Sequence, residues 1–553
     1  MATPGVIKRW TILLHLYLGA ALCLLFVVWF VSGVVMMYQS YPGLTLREKV
    51  AAMPALDCAG CRLSPEDAMA RAGVRTLNGP LRLGMLLDRP VWRMQDSAGR
   101  WTAVRADDGT SLGVLSPQAA APIATAFVGG AAGRVLDATP GVVAHYHGTL
   151  HDADQWTLTR TVRQQMPLYR FDLSDAAGTR VYVSPRSGEV LSASTRRERW
   201  VSMIGAIPHW IYPTILRRHA AAWSWVVIAL SGIGTAMCLA GLAIGIWQWR
   251  WRRRGRRSSR ARTPYRDAMM RWHHMLGLLF GVVTTTWVFS GLMSMNPGRW
   301  SPGSAPTAEQ RLVMSGGAVD AGRFTIPADS ALRVVNRAAL RAGVKELHLA
   351  MVAGRPYWVG YFTADSALHL AADRHTSPVS AFPIAVLMAR AAQLVPGAPM
   401  RDTSTLTWYD DYYRDQERQL PLPVLRVRYA DRDGTWLYLD PRSGTVAQAR
   451  GGKSRLERWL YDGLHDFDYA AIVYRRPLWD LLVIALSPCR SAARRCPRPG
   501  SCCRGGGHRP CGRVTGGCVV DRPSGRSLHR WTVSIASDSH LDNADRGVRR
   551  RTD

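Results

Sequence analysis

The sequence predicts a membrane α-helical bundle of four expected spans, carrying two external α/β domains and built as a parallel internal duplication. Three observations predict this: long uncharged apolar runs, positive charge confined to two short stretches, and motifs that recur at a nearly constant offset. The chain has 553 residues, 47% of them hydrophobic, which suffices for several folded units and excludes a disordered protein. Its formal net charge of +30 invites a nucleic-acid reading. Residues 250–271, however, hold ten arginines against one aspartate, and residues 488–553 hold fourteen arginines against five. Most of the excess is therefore local, not a basic groove on a folded domain, and no nucleic-acid partner is expected.

Residues 11–38 run without a formal charge and form the first span, since about 20 apolar residues in helix cross a bilayer. Residues 220–249 and 272–295 are the second and third spans. A fourth begins in 477–487 and stops at Pro488, so it is expected to be truncated. The lipid bilayer is the first partner. The arginine-rich loop 250–271 should be cytoplasmic by the positive-inside rule, with Lys8 and Arg9 on the same side. Segments 39–219 and 296–476 then lie together on the opposite side.

The recurrences tie the halves together. His15, Gly19, Trp29, Ser32 and Gly33 in the first span return as His273, Gly277, Trp287, Ser290 and Gly291 in the third. The run Gly178–Gly188 with its Pro-Arg-Ser-Gly turn returns at Gly434–Gly444, and His209 and Trp223 return as His465 and Trp479. Each unit is one span in, one external domain and one span out. Two spans separate equivalent positions, so the repeats are parallel about an axis along the membrane normal.

Within the external segments, Ser64-Pro-Glu-Asp has the capping residue, first-position proline and acids of a helix start. Residues 331–338 play the same part in the second half. Pro90-Val-Trp-Arg-Met and Pro356-Tyr-Trp-Val-Gly-Tyr read as strands, and each domain closes with a hairpin whose glycine suits a positive φ.

Ionisable residues inside spanning helices are costly and point to function. At 100° per residue, His15, Gly19, Trp29 and Gly33 share one helix stripe, as do His273, Gly277, Trp287 and Gly291. The glycines clear space for a flat cofactor or for close helix contact. His15 and His273 lie at equal depth near the cytoplasmic ends; His209 and His465 form a second pair near the other face. Two such pairs suit bis-histidine ligation of two haem b groups, with no coordination position open to oxygen and electron transfer as the task. Histidines that cap helix ends or pack in the interior are the bland alternative. His274 is an alternative ligand to His273, and His219 ranks lower because Arg475 occupies its matched place.

Together, His15 and Gly19, Arg271-Trp-His-His-Met-Leu-Gly277, the turns after Tyr182 and Tyr438, the run Trp459–Asp468 and Arg476-Pro-Leu-Trp-Asp resemble the PepSY-associated transmembrane family of bacterial inner-membrane proteins. That family includes ferric-siderophore reductases. The resemblance covers about residues 5–487. It implies four spans, periplasmic PepSY-like domains and, in characterised reductase members, haem held by helix histidines. It also implies electron transfer to a periplasmic ferric chelate in iron acquisition. The alternative it leaves is a non-catalytic membrane scaffold or transport accessory that binds a periplasmic partner. A separate electron donor is required, because Gly232-Ile-Gly234 lies inside a span and no nucleotide fingerprint is present.

The resemblance ends at residue 487. Six of the ten cysteines lie beyond it, among Arg, Gly and Pro, and a shifted reading frame is the expected cause. Elsewhere, Cys58-Ala-Gly-Cys61 suggests a local disulfide. His145, His147 and His151 are a weaker metal candidate, and Asp410-Asp411-Tyr412-Tyr413 reads as fold more than as an iron site.

Overall fold

A computed structural model describes residues 4–130, 141–249, 263–339, 343–416 and 418–487. The expectations for most of the basic loop and for the tail from Pro488 lie outside the described residues. Among the described residues, three helices are long and apolar enough to cross a membrane: Gly5–Met36, Ala220–Gln248 and Ala268–Ser294. We call them the first, second and third long helices. Many of their large side chains, such as Leu24, Val27, Trp225, Leu239 and Leu279, are exposed on the protein surface. That is the pattern of a helix solvated by lipid. The fourth apolar run is helical over Leu478–Leu486, nine residues, and Ser487 is the last described residue.

A side-chain cap starts the third of these helices. Asp267 caps the third long helix by accepting from the Met270 amide at 2.9 Å. Gly234 and Gly245 on the second sit against Phe26 and Val288, and against Leu278, so its backbone approaches both neighbours closely.

Outside the long helices, the described residues form fourteen strands in three antiparallel sheets. Strands β1 (Arg82–Leu86), β2 (Arg89–Gln95) and β3 (Trp101–Arg105) form one meander. Strands β8 (Glu346–Val352), β9 (Arg355–Thr363) and β10 (Ser366–Ala371) form another. Both predicted strand runs thus fall in matching places, β2 and β9. The two meanders are not separate. β1 pairs with β8, Arg82 opposite His348, and the result is one six-stranded sheet in the order β10-β9-β8-β1-β2-β3. The expected boundary between two external domains therefore runs through a continuous hydrogen-bonded sheet.

The helix Pro65–Ala72 starts as predicted, with the Ser64 hydroxyl accepting from the Asp67 amide. It and the helix Ala328–Ala339 feed one shared core: Ala68, Trp92, Ala331, Val335 and Trp358 belong to the same buried cluster. Trp92 and Trp358 are fully buried, with ring centroids 6.1 Å apart. The disulfide Cys58–Cys61 forms beside this core, as expected.

Two four-stranded sheets complete the external part: β4 (Ala144–Leu150), β5 (Leu168–Leu173), β6 (Arg180–Val183) and β7 (Val190–Ser194), then β11 (Met400–Leu406), β12 (Val424–Tyr429), β13 (Trp436–Asp440) and β14 (Thr445–Arg450). Their last hairpins carry the Pro-Arg-Ser-Gly turns. Gly188 and Gly444 stand at φ +64° and +70°, a region that a side chain disfavours.

Candidate functional site

The chemistry-bearing side chains meet where the long helices pack. On the first long helix, His15 and Ser32 are 17 residues apart, about 26 Å at 1.5 Å per residue, close to the roughly 30 Å of a bilayer core. His15 faces His273 with ring centroids 6.1 Å apart. His209 faces His465 at 6.0 Å, some 26 Å further along the helix axis by the same rise. A metal held by two imidazoles at about 2 Å per bond requires ring centroids roughly 6 Å apart. Both pairs meet that spacing.

The protein orients these rings through their Nδ1 atoms. The His209 Nδ1 lies 3.0 Å from the Trp29 carbonyl and 3.2 Å from the Ser32 hydroxyl. The His465 Nδ1 lies 3.2 Å from the Trp287 carbonyl and 3.0 Å from the Ser290 hydroxyl. Each serine also donates to the same carbonyl, three residues back in its own helix. A serine proton already spent on the carbonyl requires the imidazole to donate from Nδ1, which leaves Nε2 with a lone pair. Such an arrangement fixes the tautomer that a metal ligand needs. His15 is held likewise, its Nδ1 3.0 Å from the Met237 carbonyl. The position matched to Met237 in the second half lies beyond residue 487, outside the described residues. The His273 ring has no hydrogen bond among the described residues.

His274 differs. Its Nδ1 meets the Thr263 hydroxyl and its Nε2 the Gly245 carbonyl, both at 2.9 Å, so neither nitrogen is available. Between the two adjacent histidines, the geometry favours His273 as the one that faces a partner.

Local backbone delivers each ring. His209 ends the short helical turn Ala206–His209, and His465 follows a π-helical turn over Trp459–Gly463. A π turn widens the helix by one residue and commonly marks a functional position. Glycine makes room for the rings: a Cβ on Gly33 would stand 3.1 Å from His209 Cε1, and one on Gly291 would stand 3.6 Å from His465 Cε1. A Cβ on Gly241 of the second long helix would stand 2.5 Å from His15 Cε1, whereas one on Gly277 would meet nothing within 4 Å. Gly241→Ala is therefore expected to lower the melting temperature of the detergent-solubilised protein, overpacking costing about 1–3 kcal/mol. Gly277→Ala is expected to leave it unchanged or slightly raised. Equal melting of the two variants would contradict this packing.

Between the pairs lies an aromatic stretch, with Phe26 6.0 Å from Trp29 and Phe30 5.7 Å from Trp287 by ring centroids. The indole Nε1 atoms of Trp29 and Trp287 are buried without a hydrogen-bond partner among the described residues. Buried donors of this kind are normally satisfied. Two orphans at matched positions of the sequence repeat, beside two matched histidines, fit a bound group with acceptors of its own. The sequence marked the tryptophans and serines only as repeated letters. The carbonyl of Met237 and the bare backbone of Gly241 left no sequence signal at all.

Other sequence candidates do not converge. His145 and His147 stand on β4, whose register shifts between Tyr146 and Gly148, and His151 lies past its end. Among the described residues, no group of three or more His, Cys, Asp or Glu is placed to hold a metal ion. Asp410 accepts from the amides of Tyr412 and Tyr413 and pairs with Arg426 at 2.8 Å. Tyr413 stacks on Tyr438 at 4.6 Å. These residues build the fold.

No curated protein matches this chain. Residues 12–370 match the family described as "PepSY-associated TM region". That match takes in the first three long helices, the first pair of matched histidines and the six-stranded sheet, and it spans well over half of the chain. The protein belongs to the PepSY-associated transmembrane family.

Proposed function

We propose that this protein holds two haem b groups and passes electrons across a bacterial inner membrane to a periplasmic ferric chelate, as a ferric-siderophore reductase-like member of its family. His15 with His273 would hold one haem and His209 with His465 the other. The observation that carries the reading is the pair of facing imidazoles at 6.1 and 6.0 Å, three of the four with Nδ1 anchored. Haem held by these imidazoles would supply one-electron transfer.

The chain's own residues would supply the rest. Ser32, Ser290 and the two tryptophan carbonyls hold the imidazole tautomer. Trp29 and Trp287 offer indole N–H groups in a water-poor interior. The rings of Phe26, Trp29, Phe30 and Trp287 would line the path between the pairs. We read the matched halves as a parallel duplication, with a fourth span completing the bundle, a cytoplasmic N-terminus and both external segments periplasmic. A separate electron donor acts from the cytoplasmic side.

The test is the visible spectrum of the purified full-length protein after expression with adequate haem supply. A Soret band and an α-band that sharpen on reduction, at about two haems per chain, are the expected result. Full-length, folded protein with no haem would overturn the proposal and favour a scaffold that binds a periplasmic partner.

A further inference from the structure

A cavity of about 460 Å³ opens in the external part, within the range usual for small-molecule sites. It lies between β1, the helix Leu46–Ala52, the helix Pro117–Gly130 and the turn before β7. Its walls are mostly apolar, among them Met53, Leu86, Ile123, Phe127 and Val190, and its polar lining includes Arg93, Glu189 and Glu346.

The charges there are unequally matched. Arg82 bonds both carboxylate oxygens of Glu189 at 2.9 Å and reaches Glu346 at 3.4 Å. Lys49 adds a second cation to Glu189 at 2.9 Å, and the His348 Nε2 meets Glu346 at 2.8 Å. Both carboxylates are thus fully engaged. Arg93 is 3% exposed and stands in the field of both carboxylates, but forms no ion pair or hydrogen bond with either. It donates from Nε to the Ser187 carbonyl and from Nη2 to the Met85 carbonyl, and its Nη1 has no partner among the described residues. Three cations, Arg82, Arg93 and Lys49, thus surround two carboxylates, and a buried guanidinium that must share its counter-ions is costly. Asp88 stands at the rim on an exposed hairpin, where solvent screens it.

The matched place in the second half lacks these charges. There Val359 stands for Arg93 and Thr445 for Glu189. One half has uncharged side chains at these positions, and the other has an excess cation on the wall of an open cavity.

We propose that this cavity binds a small organic monoanion, a carboxylate with an apolar body, whose carboxylate pairs with Arg93 while its body lies against Ile123, Phe127 and Val190. This site is independent of the histidine pairs. The test is calorimetric titration of the full-length protein in detergent with 3-phenylpropanoate, 3-phenylpropanol and 3-phenylpropylamine. The acid should bind about tenfold or more tightly than the alcohol or the amine, as a charge-assisted hydrogen bond predicts. Arg93→Met should bring the acid down to the alcohol's affinity. Ala126→Trp, at an exposed position on the cavity wall, should weaken all binding by blocking entry, and it decides the matter if Arg93→Met fails to fold. No binding of the acid by the native protein would overturn the proposal. So would an amine that binds as well as the acid, or affinity for the acid unchanged in either folded variant.

Discussion

Replacing His209 or His465 by alanine is expected to halve the haem content of the purified chain, because each substitution removes one of the two rings that face each other at 6.0 Å. The expectation follows from geometry at both ends of each imidazole. Nδ1 is fixed by the Trp29 or Trp287 carbonyl and by a serine hydroxyl, so Nε2 is the atom left to bind metal. The other imidazole of the pair would then hold the group alone. The spectrum of any residual haem should then change from low-spin to high-spin and respond to added carbon monoxide. The partner variants His15→Ala and His273→Ala should remove the other group independently. His274→Ala is the control: its two nitrogens are committed to Thr263 and Gly245, so haem content should hold while thermal stability falls. Haem quantified per chain by pyridine haemochrome checks all of these. A His274→Ala variant that loses haem as His273→Ala does would reverse the assignment.

Glu189→Ala is expected to destabilise the protein by about 3–5 kcal/mol, because it strands Lys49 and Arg82 beside the buried Arg93, whose charge Glu189 also offsets. Burial pushes the Glu189 carboxyl upward, but Lys49, Arg82 and Arg93 outweigh it and hold its pKa well below the ordinary value. Glu346 is likewise raised by burial but pulled down to about 2 by His348 and Arg82. A carboxylate whose folded pKa lies below its unfolded value of about 4.3 contributes stability above that value. The contribution is lost as pH falls from about 4.3 toward about 2. The melting temperature of the native protein should therefore be steady above pH 5 and drop steeply below it. Glu189→Ala should melt lower at neutral pH and show a shallower acid drop. Parallel pH profiles for the two proteins would show that the network contributes no linkage.

Much of the fold was legible because bilayers and turns impose strict local rules. Uncharged runs of the right length can be little but spans, and the structure places helices over all three of the complete ones. Ser64-Pro65 and the two Pro-Arg-Ser-Gly turns state their backbone geometry in a few residues. The pairing of β1 with β8 was not legible. Those strands lie more than 260 residues apart, and their alternating apolar pattern suits an edge or an interior place equally. For the same reason the external domains looked separable when their strands in fact join.

The candidate site divides along a similar line. Periodicity put His15 and His273 on glycine-bearing stripes, and repetition added His209 and His465. Choosing His273 over His274 needed the Thr263 hydroxyl and the Gly245 carbonyl, which only packing brings to the ring. The supporting groups were equally hidden, since a backbone carbonyl such as that of Met237 has no letter of its own.

By itself, then, the amino-acid order determined which segments can cross a bilayer and which histidines recur, because these depend on local hydrophobicity and spacing. Tertiary structure alone decided which histidines face one another, which ring nitrogens remain free, that the two external segments share one sheet, and that Arg93 is left beside an open cavity. Those properties depend on distances between residues far apart in the chain, and a distance of 6 Å between imidazoles exists only once helices have packed.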